Sequence, residues 1–423
     1  MKSVDEHISD ILSAIAVLPA RRISLADAHG CVLGADVRAT IALPGFDNSA
    51  MDGYAVRAAD IAAASEDAPV SLPVLGEIAA GAASPAEVPV GTAVRIMTGA
   101  RFPPGADTVV QVEWTDGGKE TVAVRQPARR GLHIRRAGED VAPGNLVLAA
   151  GTLLGSAQLG LLAAINVARP PVHRRPRVAV LSTGSELVAV GERVGPGQIV
   201  DSNSHALAAA AREAGADVRR LTGVPDEPAR FEAALRAVLP TVDAVVTTGG
   251  ISVGAHDIVK EVLTATGEVT FERIAMQPGQ PQGFGVIDGV PVFTLPGNPV
   301  SALVSFELFV RPALRRMRGL TGPDRPRVTV TAAEPLTSPA GKRSYLRVRV
   351  GRGEDGALVA LSAGGQGSHH LSAAAAANAL LVVPEDVTEV EPGKPLTAIL
   401  LTADPVDALV AAATVTETLE TDA

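Results

Sequence analysis

At 423 residues, with 47% hydrophobic and 20% charged side chains, the chain is too long for one core and too apolar for disorder, so about two to four domains are expected. A formal net charge of −9 excludes a global attraction to nucleic acid or anionic membrane, and a single cysteine, Cys31, excludes a disulfide framework and a Cys-based metal cage. The opening MKSVDEHISD is too acidic for a secretory leader and no apolar run nears the ~18 residues of a membrane span, which makes the cytoplasm the expected address.

Residues 1–40 read as helical, with Val4, Ile8, Ile11, Leu12 and Ile15 spaced for one face. From Ser71 to Val147 short Val-rich runs divided by Gly and Pro predict a β-rich module. Residues 151–168 return to helix, long enough to lie back on the first one, and RPPVHRRPR (169–177) reads as a linker. Strands and helices then alternate: VAVL (178–181), helix 204–215, DVRRL, helix 227–239, VDAVVT, helix 257–267, VTFERI, PVFTL, and a closing helix over 300–319. That spacing predicts βαβ units, hence a doubly wound, mostly parallel sheet with helices on both faces. Residues 325–402 switch to strands of a small β-barrel or sandwich, and the tail VDALVAAATVTETLETDA reads as a short helix that frays.

Ligands of an open α/β sheet settle beyond the carboxyl ends of its strands. Four loops at those ends carry unusual residues: STGSEL (182–187), VPDEP (224–228), TTGGISVGAHD (247–257) and PGNPVSA (296–302). They set Glu186, Asp226 and Asp257 on neighbouring loop mouths, enough carboxylate for a hard divalent cation. Taken singly, each could equally do no more than cap or favour a helix N-terminus. Glycines in TTGGISVG let backbone N–H groups point at an anion, and the prolines of PGNP stiffen a loop whose amides open a helix; paired tight turns are the plainer alternative. The chain has no Walker A lysine and no strict G-x-G-x-x-G, which counts against nucleotide hydrolysis and dinucleotide binding. Outside the sheet, PGFDNSAMDGYAVR (44–57) and RRGLHIRRAGED (129–140) concentrate charge, the second as either a solvated face or an anion contact.

Read in order, FDNSAMDGYA, RIMTGA, RRAGED, LSTGSEL, SNS, PDEP, TTGGISVGAHD, MQPGQPQGFG, LPGNPVSA and GGQGSH resemble the signature series of the molybdopterin molybdenumtransferases, the MoeA and gephyrin E-domain family. The likeness runs from the first helix to about residue 402. Adenylyltransferases of the MogA type share the central fold but carry Gly-Gly-Thr-Gly where this chain has Gly-Gly-Ile-Ser-Val-Gly, and they lack the flanking domains. The resemblance implies an elongated homodimer with its active site at the subunit interface. Each subunit would hold a helical, dimer-forming domain I (1–45 and 141–170), an inserted β-rich domain II (46–140), a MogA-like α/β domain III (171–323), a C-terminal β-barrel (324–404) and a tail (405–423).

The implied reaction inserts molybdate into adenylylated molybdopterin and releases AMP with Mg²⁺, with possible substrate hand-over from a MogA-type adenylyltransferase as a transient partner. Carried over by motif, Glu186, Asp226, Asp257 and Asp52 would be catalytic, the first three also holding the metal. The implied substrate-binding set is Thr98, Arg135, Arg136, Asp140, Ser182, Thr183, Gly184, Gly249, Gly250, Ser252, Gly254, Gln277, Gln280, Pro296, Gly297, Asn298, Pro299 and Ser368. One departure stands out. Many members carry lysine at one or both of the positions of Gln277 and Gln280, and glutamine replaces a compact charge with neutral hydrogen bonds, which predicts altered oxyanion affinity. Two other readings compete: a pterin-binding scaffold without turnover, which would release no AMP, and an adenylyltransferase, which would consume ATP without molybdate.

Overall fold

A computed structural model describes residues 1–82, 87–250, 258–321, 325–353 and 355–401, and the chain divides into two compact units, Met1–Ala20 with His173–Ala423, and Arg21–Val172. Among the described residues no helix is long and apolar enough to cross a membrane. Helix α1 (Val4–Ala14) starts at a capping box: the Glu6 amide donates to Ser3 Oγ at 3.1 Å while the Glu6 carboxylate accepts the Ser3 amide at 2.9 Å. It ends far short of residue 40. Beyond Ile15 the apolar spacing lapses, Pro19 cannot donate to a helical ladder, and residues 20–38 form only two- and three-residue strands. Val4, Ile11 and Ile15 bury in the core of the first unit, and Leu18 N–H donates to Met317 O at 2.8 Å.

The Arg21–Val172 unit holds a five-stranded sheet of β1 (Gly53–Val56), β2 (Val70–Ile78), β3 (Ala93–Ile96), β4 (Thr108–Gln111) and β5 (Thr121–Val124) in the order β4-β1-β3-β2-β5. A Cβ on Gly53 would meet Val110 O at 1.9 Å, so only glycine lets β1 approach β4. Helix α2 (Ser156–Ala164) buries Leu162 beside Cys31, Leu33 and Val172. Helices α1 and α2 each give their apolar face to the core of their own unit.

In the other unit, β6 (Arg177–Thr183), α3 (Asn203–Glu213), β7 (Asp217–Val224), α4 (Pro228–Val238), β8 (Ala244–Thr248), α5 (Ile258–Thr266), β9 (Val269–Arg273), β10 (Pro281–Ile287) and β11 (Val290–Leu295) build the predicted sheet. Its order is β7-β6-β8-β11-β10-β9, parallel from β7 to β11 and antiparallel beyond. Strand β6 shows why such strands read as unbroken apolar runs: Val178 and Val180 join the core beneath α3, while Ala179 and Leu181 join the core beneath α4 and α5.

The closing helix is α6 (Pro299–Ser305), a π-turn (Phe306–Val310) and α7 (Arg311–Met317) in one run. Pro312 lacks the N–H that an α-helical ladder would need at that place, and a π-turn directly before it takes up the mismatch. Strands β12 (Arg327–Ala332), β13 (Arg343–Arg352), β14 (Leu358–Ser362), β15 (Ala379–Val383) and β16 (Pro395–Leu400) run β13-β14-β12-β16-β15 and return to β13, a closed barrel. The short strand Met276–Gln277 adds to it parallel to β13.

At the amino edge of the sheet, Asp243 accepts both terminal nitrogens of Arg174 as well as the Arg177 amide at 2.8 Å. Burial alone would raise the Asp243 pKa, but the hydrogen bonds from Arg174 and Arg177 outweigh it and hold the carboxyl far below its ordinary value. The stabilisation is thus complete above that ordinary value and is lost as pH falls through the depressed one. Asp243→Asn should cost about 3 kcal/mol in denaturant unfolding at neutral pH, and the gap to the natural chain should close as pH falls below about 4.

Candidate functional site

From β6 the chain moves through α3 outward to β7, then crosses back through α4 to β8 on the other side of β6. The carboxyl ends of β6 and β8 are therefore a topological switch point, where no connecting segment fills the space above the sheet. A cleft of about 250 Å³ opens there, lined by Ser182, Thr183, Glu186, Asp201, Asn203, Thr248, Gly249, Gly297 and Pro299. Asn203, first residue of α3, stitches its walls together. Its Nδ2 donates to Thr248 Oγ1 at 3.0 Å and to Gly297 O at 2.7 Å, and Thr248 Oγ1 donates to Pro296 O at 3.1 Å. Gly249 holds φ +90°, and a Cβ there would stand 3.0 Å from Thr183 O, so a side chain would be strained and would crowd the end of β6.

The acidic residues separate on this frame. Glu186 lines the cleft and is followed by the short strand Leu187–Val188 rather than a helix. Asp226 is not the cap of α4, a place taken by Glu227; its Oδ2 instead accepts the Ser185 amide at 3.3 Å, which ties the PDEP loop to the STGSEL loop. Asp257, Ser252 and Gly254 lie outside the described residues. Gly184, Gly250 and Asn298 sit on the same three loops.

Asp201 escaped the sequence reading although it directly precedes the SNS motif. Its Oδ1 accepts the Ser204 amide at 3.0 Å at the start of α3, while Oδ2, on a residue only 5% exposed, has no partner among the described residues. Thr183 Oγ1 is likewise buried without a partner among the described residues. Two carboxylates and several hydroxyls on one cleft, with one carboxylate oxygen unsatisfied, form a hard oxygen set that fits Mg²⁺, which commonly takes one or two carboxylates and completes its shell with phosphate oxygens. Among the described residues no three His, Cys, Asp or Glu side chains gather closely enough to cage a metal by themselves.

The PGNP loop also meets the barrel. Asn298 Nδ2 donates to Ser368 Oγ at 3.0 Å, and the Val300 amide donates to Ser368 O at 3.1 Å. Beside Ser368, Arg347 is 1% exposed; it donates to Tyr345 O at 3.1 Å and Gly367 O at 3.4 Å, and its Nε has no partner among the described residues. It makes no ion pair among the described residues, and burial pushes its pKa down to about 10. A buried cation satisfied only by carbonyls favours an anion. Arg347 too was missed, since SYLRVRV reads as an ordinary alternating strand. Gln277 and Gln280 do not line the cleft: Gln277 is exposed on the strand that joins the barrel, and Gln280 accepts from Arg273 at 3.2 Å.

The remaining predicted residues belong to the Arg21–Val172 unit. Asp52 Oδ1 accepts the Thr98 amide at 2.6 Å and its hydroxyl at 2.7 Å, and these bonds hold the carboxyl below its usual range. Arg136 donates to Asp47 at 2.6 Å, Arg135 pairs with Asn48 across a two-residue ladder, and the Asp140 amide donates to Leu43 O at 3.1 Å. Residues 47–52 thus tie the MDGYA, RIMTGA and RRAGED motifs into one loop cluster.

Residues 2–166 match the MoeA N-terminal region (domain I and II), residues 179–316 the region described as "Probable molybdopterin binding domain", and residues 329–401 the MoeA C-terminal region (domain IV). Molybdopterin molybdenumtransferase 2 of Mycobacterium tuberculosis is 48% identical over 402 residues, which cover 94% of this chain and 98% of that protein. The chain belongs to the MoeA family. Molybdopterin molybdenumtransferase 1 of the same organism is 42% identical over 93% of this chain and 97% of its own length. The crystal structure of the Pyrococcus horikoshii MoeA protein superimposes with a TM-score of 0.79 at 32% identity, covering 95% of this chain and 99% of that one. The α/β domain, β-rich insertion and C-terminal barrel described above are thus a MoeA fold.

The two oxygens of Asp201 have separable consequences. Asp201→Ala should lower stability by about 1 kcal/mol through loss of the cap, whereas Asp201→Asn, which keeps the cap and removes an unpaired buried charge, should raise it by about 1 kcal/mol in denaturant unfolding.

Proposed function

We propose that this chain is a molybdopterin molybdenumtransferase that inserts molybdate into adenylylated molybdopterin and releases AMP in molybdenum cofactor biosynthesis. The observation that carries the reading is the polar cleft at the switch point, with the unneutralised Arg347 beside Ser368 on the barrel loop latched to it. A relative of nearly the same length, 48% identical, bears that enzyme name.

On this reading Ser182, Thr183, Gly249, Gly250, Gly297 and Asn298 offer hydroxyls and amides to the adenylate and its phosphoanhydride. Glu186 and Asp201, which line the cleft, would hold the cation, with Asp226 and Asp257 assigned to it by motif. When bound, Mg²⁺ supplies positive charge against the phosphate oxygens as the anhydride is broken. Arg347 and the Ser368 hydroxyl face the molybdate dianion, Arg347 as a fixed planar donor whose Nε lacks an acceptor among the described residues. Asp52, Thr98, Arg135, Arg136 and Asp140 are assigned to the same reaction by motif. The four-domain division, the homodimer, a cytoplasmic address and transient contact with a MogA-type adenylyltransferase belong to this proposal as well.

AMP release by the purified protein from adenylylated molybdopterin, with molybdate and Mg²⁺ each omitted in turn, tests the reading; binding of that substrate without AMP in any mixture would leave a scaffold. Because Gln277 and Gln280 bring no charge, Gln277→Lys with Gln280→Lys should lower the molybdate concentration for half-maximal AMP release by about tenfold. An unchanged dependence would remove any role for these positions in oxyanion affinity.

A further inference from the structure

Two consecutive carbonyls of the PGNP loop are held from one side. Pro296 O accepts the Thr248 hydroxyl at 3.1 Å, and Gly297 O accepts Asn203 Nδ2 at 2.7 Å. The two groups that hold them are themselves 3.0 Å apart, so the carbonyls converge. Among the described residues the cis peptide bonds are Leu43-Pro44 and Gln277-Pro278, so both bonds of the loop are trans, and in a trans peptide the N–H points opposite to the C=O. Tying down the carbonyls of Pro296 and Gly297 therefore turns the amides of Gly297 and Asn298 together to the other side. Neither amide donates to any described residue, and both residues are exposed although Pro296 beside them is buried. Two successive amides aimed the same way are a form in which main chain binds an anion.

One side chain sets both peptide planes. A carbonyl oxygen can only accept, so the Asn203 atom facing Gly297 O is the nitrogen, and its two hydrogens are spent on Gly297 O and Thr248 Oγ1. Because Thr248 Oγ1 accepts from Asn203, its own hydrogen goes to Pro296 O. Asn203 thus fixes one carbonyl directly and the other through Thr248. It is itself held in place as the first residue of α3, where Asp201 caps the next amide, that of Ser204. Gly297, Thr248 and Asn203 line one cleft, and a second group there also awaits a ligand: Thr183 Oγ1, on a residue 5% exposed, has no partner among the described residues.

We propose that Asn203 is a positioning residue of the transfer reaction: it holds the amides of Gly297 and Asn298 toward the phosphate of the adenylate, where negative charge grows as the anhydride is cleaved. The assignment rests on the molybdenumtransferase reading. Donors fixed before the bond breaks need no rearrangement as the charge develops, which is why they act on the transition state more than on substrate affinity. Asn203 touches no reacting atom on this account and works through the loop it orients.

The test uses the full chain and Asn203→Asp. Aspartate has the same shape and suits the first turn of a helix, so α3 stays formed, but a carboxylate cannot donate and sets an oxygen against Gly297 O. Labelling with carbonyl-13C glycine and 15N asparagine selects the two Gly-Asn bonds of the sequence, Gly144-Asn145 and Gly297-Asn298. The Asn145 amide already donates to Ala142 O and serves as the control, identified by its loss in Asn145→Gln. AMP, which carries the phosphate charge left after cleavage, should move the Asn298 signal of the natural chain and leave that of Asn145 in place. The affinity read from that movement should fall about tenfold in Asn203→Asp and in Thr248→Val, and return in Thr248→Ser, which keeps the hydroxyl. In AMP release from adenylylated molybdopterin, Asn203→Asp should lower kcat about 100-fold with KM within about threefold. An Asn298 signal that ignores AMP, an equal response in Asn203→Asp, or a loss confined to KM overturns the proposal. The expected response of Asn298 without any AMP release from adenylylated molybdopterin would instead overturn the molybdenumtransferase reading, while supporting Asn203 as the residue that sets the two amides.

Discussion

Three neighbouring parallel strands end on one edge of the central sheet in buried hydroxyl side chains that no other described residue satisfies. Thr183, Thr247 and Thr294 are buried, and the Oγ1 of each lacks a partner among the described residues. The parallel register sets Thr247 opposite both Leu181 and Thr294, so the polar row crosses a sheet that is otherwise Val, Ala and Leu. An unsatisfied buried hydroxyl costs about 1–3 kcal/mol. A sheet that ended in valine would be more stable, so the row, together with Asp201 Oδ2, is a polar edge kept at a cost in stability. The cleft, the stitch by Asn203 and the latch from Asn298 to Ser368 are all arranged around that edge.

Much of this was legible from residue types alone. Parallel strands buried on both faces leave continuous apolar runs, and helices between them leave a period near 3.6, so the central domain and the loops at its carboxyl edge could be read off. Charge-bearing motifs pointed to Glu186, Asp226 and the PGNP loop because their chemistry is unusual at strand ends. What stayed hidden depends on direction. Arg347 sits in a strand whose alternation, Leu346, Val348 and Val350 into the barrel core, is plain; that its own face is covered by other parts of the chain is a tertiary fact. Asp201 carries no motif signal of its own: its Oδ1 accepts the Ser204 amide, and only the surroundings decide where its second oxygen faces. Residues 15–40 misled because short two-residue ladders carry almost no periodic signal.

The barrel is more than an appended domain. Met276 and Gln277 leave the sheet to pair with Arg343 and Ser344 of β13, while Tyr345, Leu380 and Ile399 on the barrel's outer surface join the core that covers α3 and the helix 299–317. Ser368 and Arg347 are thereby held against the PGNP loop by packing as well as by hydrogen bonds, so the placement of a barrel loop beside the sheet edge is determined by the shared core.

The π-turn at Phe306–Val310 makes the phase of one helix depend on a count of residues. Each residue of an α-helix advances the side-chain direction by about 100°. Shortening that stretch by one would swing Ala313, Leu314 and Met317 away from the interior and break the alignment of Glu307 with Arg311 and Arg325. Evolution along this stretch is consequently freer to exchange letters than to change their number, and indels in homologues should fall on either side of the helix rather than within it.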